Sequence, residues 1–125
     1  MTTEDVERII SDAVPAICAT LGIRDWIIEA QCGRLDEGRA KCEAKPGYQR
    51  AALTFDPGEH EDEADVLASV RHELLHTFAA EMETYRAAVQ QLVSDREFAV
   101  LDQMFSLASE SLVRRIEKAL PTQRA

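Results

Sequence analysis

Two histidines four residues apart, with a glutamate directly after the first, constrain this chain more than anything else in it: His72-Glu73-Leu74-Leu75-His76. Side chains at i and i+4 of a helix lie one above the other on the same face. The spacing therefore calls for a helix and aims both imidazoles at one point. There they can share a metal ion, while Glu73 reaches a water held by that ion. The chain has three His in all, and two of them fall at this spacing.

The helix that carries the motif is expected over residues 63–91. Its apolar stripe is Val66, Val70, Leu74, Phe78 and Tyr85, widened by Leu67, Leu75 and Met82. At ~100° per residue, His72 and His76 project to the opposite side from that stripe. They share their face with Asp65, Ala68, Ser69, Ala79 and Glu83. Two histidines turned away from the apolar stripe are not core histidines, and the small Ala68 and Ala79 leave room around an ion.

The rest of the chain reads as a scaffold in the α+β class. Val6, Ile9, Ile10, Ala13, Val14 and Ile17 mark an N-terminal helix with Thr3 as its expected N-cap. Pro15 is expected to kink or restart that helix, and Gly22 to end it. Residues 26–32, 39–44 and 49–55 carry strand patterns separated by the Gly33–Gly38 and Lys45-Pro46-Gly47 turns. Short connections predict a three-stranded antiparallel meander. An acidic run over residues 59–65 leads into the motif helix as a negatively charged first turn, and its His60 is expected to be an exposed loop residue, with a place near a site mouth as the alternative. Beyond Ser94-Asp95, the apolar Phe98, Leu101, Phe105, Leu112 and Ile116 predict one or two C-terminal helices that stop at Leu120-Pro121.

A chain of 125 residues is expected to make one domain, residues 1–125, around a single core. Its net charge of −9 repels phosphate backbones and anionic membranes, which argues against nucleic acid and membrane as partners. The polar Met1-Thr2-Thr3-Glu4-Asp5 start lacks the basic and apolar regions of a signal peptide, so a cytoplasmic location is expected. Cys18, Cys32 and Cys42 form no C-x-x-C pair and read as free thiols in a reducing compartment. Cys32 and Cys42 can approach one another if their strands pair.

A catalytic zinc usually takes three protein ligands and keeps one position for water. The motif helix supplies two, with Glu73 better placed as general base than as ligand. No His follows His76, which excludes the H-E-x-x-H-x-x-G-x-x-H pattern of metzincins, so the remaining candidates are carboxylates of the C-terminal segment. Glu81 and Glu83 follow His76 too closely to fold back onto its ion.

The order of elements, with His72-Glu73-Leu74-Leu75-His76 as its sharp match, resembles a minimal gluzincin metallopeptidase over residues 25–118. The smallest members include phage- or prophage-encoded proteins of unassigned substrate. The resemblance implies a zincin-like fold, zinc as cofactor, and a downstream Glu as the last ligand. Glu110 is favoured, because Ser109 and Ser111 are small neighbours and Leu112, Val113 and Ile116 anchor its helix; Glu97 and Asp102 are the alternatives. It also implies that an extended peptide pairs along an edge strand, which by analogy is the third strand, residues 51–55. A Tyr or His that stabilises an oxyanion is found in some members; Tyr48, Tyr85 and His60 are the available residues, with Arg114 as a substitute.

Two functions follow. One is a zinc-dependent peptidase acting on a peptide or protein substrate, with Glu73 as base. The other is a zincin-like metal-binding protein with a non-catalytic binding or assembly role. SprT-like DNA-associated proteases share the motif, but the acidic balance and the lack of a Cys-rich zinc ribbon argue against that kinship. Dimerisation is compatible with so small a domain, though no sequence feature demands it.

Overall fold

The structure is a computed structural model that describes residues 1–23 and 25–119, without the side chains of Pro46, Glu81, Glu83 and Thr84. The expected stop at Leu120-Pro121 lies outside the described residues.

Helix α1, Thr3–Leu21, is capped by Thr2, one residue earlier than the expected Thr3. Thr2 accepts from the Asp5 N–H while the Asp5 carboxylate accepts from the Thr2 N–H, a reciprocal capping box. Pro15 neither ends nor restarts the helix. Ser11, whose carbonyl loses its i+4 donor, is exposed together with Pro15, so water can take the missing bond. Gly22 closes α1 in the left-handed conformation, φ 74°.

Strands β1, Ile27–Cys32, β2, Ala40–Lys45, and β3, Arg50–Phe55, lie close to their expected positions, but their order does not. The sheet runs β1-β3-β2, with β1 parallel and β2 antiparallel to β3, so it is mixed and not a meander. Burial follows this order. Strand β3 buries Ala51, Leu53 and Phe55 and takes the centre, where both of its edges are paired. Strands β1 and β2 carry Glu29, Gln31, Lys41, Glu43 and Lys45, the side chains that suit a sheet edge. Cys32 and Cys42 consequently lie on opposite sides of β3, facing Phe55 and Leu53 in the register, and all three cysteines are free.

Helix α2, Glu63–Phe78, is capped by Asp62, whose carboxylate accepts from the Asp65 N–H at 2.9 Å. With α1 it covers one face of the sheet. Val6, Ile10 and Ile17 meet Leu53, Phe55, Val66, Val70 and Leu74 in one cluster. The expected single helix over residues 63–91 is in fact two: α2 stops at Ala79, and α3, Glu81–Leu92, packs on the next helix. No Gly or Pro marks the break. The buried Ala80 sits at the corner, and packing against neighbouring elements overrides a helical local sequence. Phe78, Met82 and Tyr85 consequently leave the core stripe and are exposed.

Helix α4, Asp95–Ala119, is continuous and packs on both α2 and α3. Ser94 and Glu97 cap it reciprocally, with Ser94 Oγ accepting from the Glu97 N–H at 3.2 Å and the Glu97 carboxylate accepting from the Ser94 N–H at 3.2 Å. Among the described residues, no helix is long and apolar enough to cross a membrane.

Candidate metal centre

The sheet and α1 bury the Leu74 side of α2, which leaves the histidine side facing α4. Two imidazoles from α2 and one carboxylate from α4 converge there: His72, His76 and Glu110 offer ligand atoms that all lie within 4.8 Å of one another. The two Nε2 atoms are 3.2 Å apart, and Glu110 places Oε1 3.0 Å from His76 Nε2 and Oε2 3.8 Å from His72 Nε2. Bonds of about 2 Å in a tetrahedral site put neighbouring ligand atoms about 3.3 Å apart, so these separations fit one small divalent cation.

The protonation pattern fits as well. His72 Nδ1 lies 2.6 Å from Glu117 Oε1. A carboxylate accepts, so Nδ1 carries a proton, and the ring turns Nε2 towards His76. Burial pushes the His76 imidazole below its ordinary pKa, against the opposing pull of Glu110, which favours the neutral form that a metal requires. Two imidazole nitrogens at hydrogen-bond distance need a proton or a cation between them, and the donor set as a whole suits a cation.

Glu73 points into the same space and is only 6% exposed. Burial raises its carboxyl to about 7; the nearby His72 opposes that rise, while Glu110 and Glu117 add to it. A carboxylate that exchanges its proton near neutrality is matched to proton transfer at that pH. Two cavities of about 370 and 400 Å³ flank the centre, and Glu73, His76 and Glu110 line both. The first continues to Cys42 and Ala44 of β2, Met82 of α3 and Phe105 of α4; the second to Arg39, Ala68, His72 and Glu117.

Helix α4 thus brings Glu110 to the histidines and leaves the alternatives elsewhere. Glu97 is engaged in the Ser94 cap, about 20 Å back along the axis. Asp102 is paired with Arg86. The strand beside the centre is β2, which supplies Ala40, Cys42 and Ala44 to the cavities, whereas β3 is central and has no free edge for an extended peptide. The expectation for residues 51–55 fails for that reason.

The expected oxyanion-stabilising residues are not at the centre. Tyr48, Tyr85 and Arg114 are exposed, and neither tyrosine nor Arg114 lines either cavity. His60 is buried and its ring is used up structurally: Nδ1–H donates to the Asp56 carbonyl at 2.7 Å, and the Ser69 hydroxyl donates to Nε2 at 2.8 Å. It latches the loop before α2 to that helix. Cys42 lines a cavity, but burial pushes its thiol up to about 11 and Sγ sits 3.4 Å from Thr77 Oγ1, so it stays a protonated, packed side chain.

Glu117 is the functional candidate that the sequence reading missed. It lies seven residues after Glu110, two helical turns on and therefore on the same face, a spacing that could have suggested it. Compared with protein-family models, curated proteins and solved structures, the chain finds no match.

Proposed function

We propose that this chain is a zinc-dependent peptidase of the gluzincin type, with His72, His76 and Glu110 as metal ligands and Glu73 as general base. The observation that carries the reading is the convergence of those three donors within 4.8 Å, beside the buried Glu73. Two imidazoles and one carboxylate form a donor set typical of catalytic zinc. When bound, Zn²⁺ supplies Lewis acidity that acidifies a water and polarises a substrate carbonyl.

The chain's own groups do the rest. Glu117 holds the His72 ring in the tautomer that leaves Nε2 free to bind. Glu73, with its pKa raised by burial, accepts the proton of the attacking water and passes it to the leaving amine. The two cavities on either side of the centre give a peptide room on both sides of the scissile bond. The edge of β2 offers backbone groups along one of them.

The test is the metal content and hydrolytic activity of the purified protein and three variants. One zinc per chain is expected, lost in His72→Ala and in Glu110→Ala. Glu73→Gln is expected to keep the zinc and lose at least about a hundredfold in peptide hydrolysis. Zinc retained at full stoichiometry in Glu110→Ala would overturn the ligand assignment. A metal-loaded wild type that cleaves no member of a broad peptide library would replace catalysis with a binding role for the same centre.

A further inference from the structure

The central buried cluster draws its side chains from α1, α2 and the sheet, and neither its members nor the half-buried residues packed on it lie beyond Leu74. Helices α3 and α4 are seated more thinly. Among the described residues of α3 no side chain is buried, and α4 buries only Phe98 and Val113. Leu75 and Ala80 are buried as well, outside the central cluster.

The two helices are fastened to each other. Arg86 of α3 is paired with Asp102 of α4 and lies over the Phe98 ring, 5.3 Å from its centroid. The hairpin they form joins the rest of the chain through Ala79–Ala80, and α3 touches the turn at residues 46–48. What ties α4 to α2 beyond Val113 is polar: Glu110 to His76 at 3.0 Å and Glu117 to His72 at 2.6 Å. Glu110 is 43% exposed, and ion pairs open to water hold weakly. A pair of helices braced internally, with few buried apolar contacts to the body, is the kind of unit that opens by itself while the core stays folded.

We propose that α3 and α4 form a lid hinged at Ala79–Ala80, which opens as one unit from the α1–α2–sheet layer in the metal-free protein and which the cation closes. The inference rests on the metal ligands proposed above. Opening carries away Glu110, Glu117 and the Phe105 and Ser109 wall of one cavity together, while His72, Glu73 and His76 stay on α2. The site is then assembled by the ion it holds, and a chain short of metal lacks the cleft as well as the ion.

Hydrogen exchange of the full chain, read amide by amide and corrected for intrinsic rates, tests this. In chelator, amides over residues 98–116 are expected to exchange at least about a hundredfold faster than those of β3. Free zinc at a hundred times its dissociation constant should slow them about a hundredfold in the wild type and leave them unchanged in His72→Ala. Leu53→Ala loosens the central cluster away from the lid. In chelator it should speed exchange in β3 by at least about thirtyfold and leave residues 98–116 as in the wild type. Ile10→Val is the milder form of the same test should Leu53→Ala not fold, with an acceleration of several-fold expected in β3 alone. Amides of α4 that exchange as slowly as those of β3 in chelator would overturn the proposal, as would equal acceleration of both in either core variant. A wild type that binds one zinc per chain with no change in α4 exchange would overturn the closing step alone; one that binds no zinc would overturn the metal ligands and the closing step together.

Discussion

At the scale of single residues, Glu117 and Glu73 carry the most informative predictions. Glu117 sits behind a proposed ligand: its carboxylate, 2.6 Å from His72 Nδ1, fixes that ring's proton and orientation. Glu117→Ala is expected to weaken metal binding by roughly 10- to 100-fold while leaving the three donors in place, as read by competition with a chelator of known affinity. Loss no larger than that of Glu97→Ala would remove the role. Glu73 makes the metal-free protein sensitive to pH. Its folded pKa of about 7 lies above the ordinary 4.5, so between those values the folded state binds more protons than the unfolded one. Stability is then greatest below the unfolded pKa and falls as pH rises through the folded one, by up to about 3 kcal/mol. In the presence of chelator, urea midpoints should drop from pH 5 to pH 8, and Glu73→Gln should flatten that dependence. A slope that is unchanged in the variant would assign it to other groups.

At the scale of elements, what was readable in the sequence and what was not divide along physical lines. The helix of His72-Glu73-Leu74-Leu75-His76, the face it presents and the three strand segments follow from local periodicity, which the chain retains. Glu110 was reachable because a donor set short of one ligand limits the choice, but only packing decides between it, Glu97 and Asp102. The break at Ala79–Ala80 was invisible, because two alanines are good helix formers and the turn is imposed by what α3 packs against. The strand order was hidden for a related reason. Alternation reports which side chains of a strand are buried, not which strand lies beside it. Yet β3, with Ala51, Leu53 and Phe55 buried, is the most buried of the three and is the one that is central. Leu53 is fully buried between α1, α2 and the sheet. Leu53→Ala should cost about 2–5 kcal/mol in urea unfolding, whereas Thr54→Ala on the same strand, half-buried on the alternate side, should cost less than half as much.

At the scale of the whole molecule, the metal centre joins parts that the sheet does not. His72 and His76 belong to the layer that α1, α2 and the strands build around one core, while Glu110 and Glu117 arrive on α4. An ion held by all three donors would tie α4 to that layer, so metal binding should stabilise the native state by mass action, by about 2.7 kcal/mol at a hundred times the dissociation constant. The melting temperature should rise with added zinc in the wild type and stay constant in His72→Ala. A rise of equal size in both would locate the stabilising site elsewhere.

The central position of β3 also fixes when the sheet can form. Strands β1 and β2 precede β3 in the chain and lie apart, with a strand-wide gap between them that only the later segment fills. During synthesis, everything up to Gln49 therefore emerges with no sheet partner at all, and the first ladder closes only when residues 50–55 slide between two waiting edges. Pairings of that kind join distant parts of the chain and are slow to form. A fragment of residues 1–49 should show the helix of α1 and no protected amides over residues 27–32 or 40–45 in hydrogen exchange. In this molecule the ribosome must release the middle strand before either outer one has anything to hold.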